Sequence, residues 1–186
     1  MKHERRALTL ELRAKGRGVE GYAALFNTET RIGDAFTEVI APGAFAASLA
    51  SGRDVLALVD HDETRLLGRT RSGSLRLAED SRGLHFGLDL PDTQNGRDVL
   101  ALAERGDLGG MSFGFSVDAE LRDGDARILQ AVQLYEVSII SAFPAYPGTV
   151  VQARFQPNWR PVGQFAMNLA HAQHRLRILE AQVCAR

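Results

Sequence analysis

Three side chains in this 186-residue chain are of types that do chemistry, in segments that otherwise read as structural. His61 continues the phase of Val55, Ala57 and Val59, where an apolar run ends in Asp60-His61-Asp62. Imidazole is the side chain best suited to proton transfer near neutral pH. Ser112 lies in Gly109-Gly110-Met111-Ser112-Phe113-Gly114-Phe115-Ser116. On a strand, Met111, Phe113, Phe115 and Val117 point one way, and Ser112, Gly114 and Ser116 the other. The first face is bulky core; the second is a trough of small residues where a substrate backbone could reach a hydroxyl, as a nucleophile requires. Glu136 falls in Val132-Gln133-Leu134-Tyr135-Glu136-Val137-Ser138-Ile139-Ile140-Ser141, on a face read as Val132, Leu134, Glu136, Ser138 and Ile140. A carboxylate on such a strand carries a desolvation cost unless it is paired or protonated.

Each of the three also has a plainer explanation. His61 could be a hydrogen-bonded structural histidine or a loop residue. The glycine-lined face around Ser112 could pack another strand, and Glu136 could pair with an arginine of the body. Together, however, a histidine, a serine and a glutamate on separate strands supply the base, nucleophile and orienter that acyl transfer needs. The serine is not in a strand-to-helix nucleophile elbow: Gly114 matches that pattern, but position 110 leads a strand and no helix follows.

The elements that must position these groups are mostly strands. Period-2 alternation marks strands over 7–12, 19–26, 36–40, 55–59, 66–71, 74–77, 83–90, 110–117 and 127–142. Short helices fit 44–49, after Pro42-Gly43, and 97–104, with Val99, Leu100 and Leu102 inward and Gly106 ending it. Many strands and few helices, without regular alternation of the two, predict an α+β domain on a mostly antiparallel sheet or closed β-barrel.

Composition narrows the function classes. With 22 basic and 23 acidic residues the net charge is −1, against the basic excess of a dedicated nucleic-acid binder. The single Cys184 excludes an intramolecular disulfide and a thiolate zinc cluster. No apolar run approaches the roughly 20 residues that span a bilayer, and no secretory signal is expected after the charged 1–6. The charge is uneven: residues 157–186 carry four arginines against one glutamate, net +3, leaving 18 basic against 22 acidic residues in 1–156, net −4. Gln156-Pro157-Asn158-Trp159-Arg160-Pro161 reads as a linker, followed by an amphipathic basic helix with Phe165, Leu169, Leu176, Leu179 and Val183 on one side. Such a helix either docks on its own domain, binds a partner or is removed by proteolysis.

Several segments, in order, resemble the prohead (procapsid) maturation proteases of tailed phages, serine proteases whose fold is related to herpesvirus assemblin. The matching stretches are Gly21-Tyr22-Ala23-Ala24-Leu25-Phe26-Asn27, Val39-Ile40-Ala41-Pro42-Gly43-Ala44-Phe45, Asp60-His61-Asp62 with Leu67-Gly68-Arg69-Thr70, the Met111-Ser112-Phe113-Gly114-Phe115 run, and Glu136-Val137-Ser138 ahead of Pro144-Ala145-Tyr146. They span about residues 7–153. The resemblance implies His61 as general base, Ser112 as nucleophile and Glu136 as third member, on an assemblin-like β-barrel flanked by a few helices. With the linker at Gln156–Pro161, this gives a protease domain over 1–156 and leaves the C-terminal piece outside the match. Its substrates would be the major capsid protein and scaffold, met inside the procapsid in the host bacterial cytoplasm. Neither metal nor organic cofactor is implied, and a homodimer is among the implied partners. The alternative is a catalytically inactive assembly or scaffolding factor of the same fold. The turn over 141–148 is the expected source of oxyanion-hole donors.

Overall fold

In the computed structural model, residues 3–8, 12–15, 17–33 and 35–142 are described, and they form an α+β domain dominated by strands. The strands are β1 (Glu4–Leu8), β2 (Leu12–Lys15), β3 (Gly18–Leu25), β4 (Thr30–Ile32), β5 (Phe36–Ile40), β6 (Leu56–Val59), β7 (Asp62–Arg69), β8 (Leu75–Glu79), β9 (Gly83–Asp89), β10 (Gly110–Asp123) and β11 (Ala126–Ile140). The helices are α1 (Ala46–Ala50) and α2 (Gln94–Arg105). Thr93 caps α2 by accepting from the Gly96 N–H, and Gly106 ends it in the left-handed conformation that favours glycine.

The expected closed barrel is not formed by these strands. They make two separate sheets, one of seven strands ordered β1-β10-β11-β5-β4 with β6 and β7 branching from β11, and one ordered β2-β3-β9-β8. Seven of the nine strand pairings are antiparallel; the exceptions are β11 with β5 and β11 with β6. The alternation over 7–12, read as one strand, spans the end of β1 and the start of β2, which belong to different sheets. The domain boundary at 156/157 and the basic helix lie outside the described residues.

The centre of the larger sheet is β11. One edge pairs with β10; the other is shared, Ala126–Leu129 with β5 and Glu136–Ile139 with β6. Between these two stretches the chain leaves the sheet to form α1, and backbone donors of β11 find other partners. The Val132 N–H donates to the Ala44 carbonyl, and the Leu134 N–H donates to the buried Ser48 hydroxyl. Buried peptide groups must be paired, so this serine takes the place of a missing strand partner. Residues from both sheets, with Phe45 and Val99 from the connecting segments, share one apolar core. Phe113 is wholly buried there, edge-on to Phe45 and stacked on Phe115.

Candidate active site

His61 is held by a turn rather than by a strand. Val59 pairs with Asp62 across the β6–β7 hairpin, which makes Asp60-His61 a two-residue loop. Both residues have positive φ, 52° and 61°, as a type I′ turn requires. Aspartate and histidine are among the few side chains that tolerate this region. The turn is stapled to the end of β11. The Asp60 N–H donates to the Ile139 carbonyl, and the Asp60 carboxylate accepts from the Ser141 N–H and hydroxyl at 2.8 and 2.7 Å and from Arg65 at 2.9 Å. Burial pushes the Asp60 carboxyl up, but these donors outweigh it and hold it below the usual carboxylate range. Asp62 serves a separate local turn, accepting from the N–H and hydroxyl of Thr64. The phase argument that extended β6 as far as His61 is therefore corrected: the ring is aimed by the turn.

Glu136 lies in β11 opposite Gly114 of β10 and Leu56 of β6. Between Gly114 and Phe115 the register shifts, so that Phe115 faces Leu134 and Tyr135 is the extra residue of a bulge. The bulge changes the phase of the strand. Val132, Leu134, Val137 and Ile139 all enter the core, while Glu136 turns away from it. The face read from the sequence as Val132, Leu134, Glu136 does not exist.

The Glu136 carboxylate has two partners, and neither is an arginine. Its Oε1 is 2.7 Å from His61 Nδ1, and its Oε2 accepts the Ser138 hydroxyl at 2.6 Å. An ionised carboxylate only accepts, so Nδ1 carries the proton and Nε2 of a neutral ring presents its lone pair. Among the described residues Nε2 has no hydrogen-bond partner. Gly114 leaves the carboxylate its space, since a Cβ there would collide with Glu136 Oε1. The small-residue trough is thus filled at Gly114 by Glu136 itself.

Ser112 stands one step along β10, opposite Ser138, and is completely buried. Directly opposed residues have Cβ atoms about 5 Å apart, which puts the Ser112 and Ser138 side chains side by side. The Ser112 hydroxyl donates to the Arg6 carbonyl at 2.8 Å, and no hydrogen bond joins it to His61. The structure therefore brings His61 and Glu136 together and sets Ser112 on the adjoining strand, engaged elsewhere. Of the turn expected to supply oxyanion donors, residues 143–148 lie outside the described residues, and the Ser141 N–H already donates to Asp60. Sequence reasoning assigned no role to Ser138, Asp60 or Arg6. Only Ser138, two residues from Glu136 and so on the same strand face, carried a readable signal.

A histidine oriented by a carboxylate, with a serine on the neighbouring strand, is an arrangement found in serine hydrolases. Residues 4–159 match the family model described as caudovirus prohead serine protease, and the chain belongs to that family. Among curated proteins, the prohead protease of Enterobacteria phage HK97 is 34% identical over 129 residues. The match covers 68% of this chain and 55% of that protein, so the chain spans little more than half the length of the relative. No solved structure matches.

Proposed function

We propose that this chain is a serine endopeptidase that cleaves scaffold, or a scaffold-like segment of the major capsid protein, during procapsid maturation. The observation that carries the reading is the 2.7 Å contact of Glu136 with His61 Nδ1, which leaves Nε2 as a proton acceptor, with Glu136 on the strand that pairs with that of Ser112. Membership of a family of prohead serine proteases supports the reaction class and the setting in the prohead. In the proposed reaction Ser112 Oγ attacks a peptide carbonyl carbon while its proton passes to His61 Nε2. The resulting oxyanion collapses, the C–N bond breaks, and the amine leaves with the proton from Nε2. Water then attacks the acyl-enzyme ester, gives a proton to Nε2, and the proton returns to Ser112 as the acid departs. Glu136 holds the ring and stabilises its cation in both halves. The reaction draws on no metal or organic cofactor, and its place is the interior of the procapsid in the host cytoplasm.

The inactive assembly factor is the second reading, favoured by the hydroxyl of Ser112 being tied to Arg6 rather than to His61. Co-expression with capsid precursor separates the two. The wild-type chain is expected to process the precursor and Ser112→Ala to leave it whole while keeping its fold. Processing that survives Ser112→Ala removes the assignment. Mass spectrometry of the matured particles also reads whether the chain is cut near 156–161, releasing the basic C-terminal piece.

A further inference from the structure

Among the described residues β1 is an edge strand whose sole neighbour in the sheet is β10, with Ala7 opposite Ser112 and Arg6 opposite Phe113. It brings a peptide group of the chain's own backbone against the hydroxyl assigned to attack peptide groups, since Ser112 Oγ donates to the Arg6 carbonyl at 2.8 Å. That bond engages the proton that the proposed mechanism passes to His61. The residue is wholly buried with β1 in this position.

What fastens β1 is charge. Arg6 meets Glu38 fork to fork, with Nε to Oε1 at 2.6 Å and Nη2 to Oε2 at 2.8 Å, and its guanidinium lies over the Phe115 ring. The Glu4 carboxylate accepts from both terminal nitrogens of Arg127, at 2.7 and 2.9 Å. The receiving ends, Glu38 and Arg127, are buried in the sheet and also pair with each other at 3.1 Å. They therefore keep a partner when β1 leaves. Four of its five residues, Glu4, Arg5, Arg6 and Ala7, bring no large apolar side chain; the fifth is Leu8. A strand held mainly by charge can be released into water at a modest net cost, because the ion-pair attraction lost is largely offset by hydration. An extended peptide can take its place by pairing with the exposed edge of β10.

We infer that β1 occupies the place of an extended polypeptide substrate along β10, and that its release uncovers Ser112. The inference rests on the reading of Ser112 as nucleophile, and its test separates the two. Ser112→Cys is made with and without Arg6→Ala, and iodoacetamide modification at position 112 is followed by peptide mapping, which resolves it from Cys184. Modification is expected to be slow with β1 held and about tenfold faster or more with Arg6→Ala, since it tracks the open population. An excess of a synthetic peptide of residues 3–8 is expected to slow it again. Equal rates in the two backgrounds overturn the inference. If Arg6→Ala does not fold, Glu4→Gln, which weakens the contacts of Glu4 with Arg127 and Arg6 but leaves the Arg6–Glu38 pair in place, makes the same comparison. In a parallel arm, fluorophosphonate labelling of Ser112 is expected to rise with Arg6→Ala by a similar factor. A position 112 that opens to iodoacetamide but never takes fluorophosphonate overturns the peptidase reading, and with it the equation of β1 with substrate.

Discussion

Glu136 is tolerated in a central strand because both carboxylate oxygens are answered, one by His61 and one by Ser138. That arrangement gives Ser138 a positioning role. Glu136→Gln keeps the shape but replaces one acceptor oxygen by a donor, so the ring loses its preferred tautomer; peptidase turnover is expected to fall by about 10²-fold or more. Turnover within a few-fold of wild type would sink the orienter role. Gly114→Ala is expected to act through the same carboxylate. The new methyl displaces Glu136 from His61, so turnover falls toward that of Glu136→Gln, and the melting temperature falls with it because a buried carboxylate loses one of its two partners. A large melting loss with turnover intact would contradict this. At this scale the sequence was informative in types and poor in phase. His61, Ser112 and Glu136 were visible because each is a costly or reactive residue in its setting. The bulge at Tyr135 that turns Glu136 away from the core leaves no mark in the periodicity, since one extra residue on one strand is defined only by its partner strand.

Among the elements, β1 is fastened by ion pairs, so its attachment depends on ionisation. Arg127 hydrogen bonds, assisted by Arg6 and opposed by burial, lower the Glu4 carboxyl from 4.5 to about 2. A carboxyl lowered on folding stabilises the folded state above its unfolded value and loses that contribution as the pH falls through the folded value. The stability difference between wild type and Glu4→Gln is therefore expected to be full at about pH 6, to shrink from about pH 4.5 downward, and to vanish below about pH 2. Chemical denaturation of both proteins across this range measures it, and a pH-independent difference would rule the coupling out. Amide exchange in β1 should follow the same course. The Asp60-His61 turn shows the opposite kind of legibility. Its residues are compatible with positive φ, yet the pair is an uncommon choice for a position that favours Asn-Gly, so it read as a strand end.

For the whole molecule, the α+β class was readable from many short strand-like segments and two helical ones, whereas the barrel was not realised. The two sheets share one core without joining edges, because β11 offers its second edge to β5 and β6 in turn and α1 fills the interval. Phe113 ties this core together from the strand that also carries Ser112. Phe113→Ala is expected to cost about 3–5 kcal/mol in denaturant unfolding, as for other fully buried aromatic side chains. A loss below about 1 kcal/mol would show that the site collapses around the gap. Composition, turn chemistry and local period determined the strand-rich class, the Gly106 end of α2 and the three candidate side chains, because each of these is a property of neighbours in the chain. The contact of His61 with Glu136, 75 residues apart, and the placing of β1 over Ser112, 106 residues from Arg6, came from the folded arrangement alone. Which strand pairs with which edge, and in what register, is decided by competition among all strands for backbone partners, and no local pattern encodes its outcome.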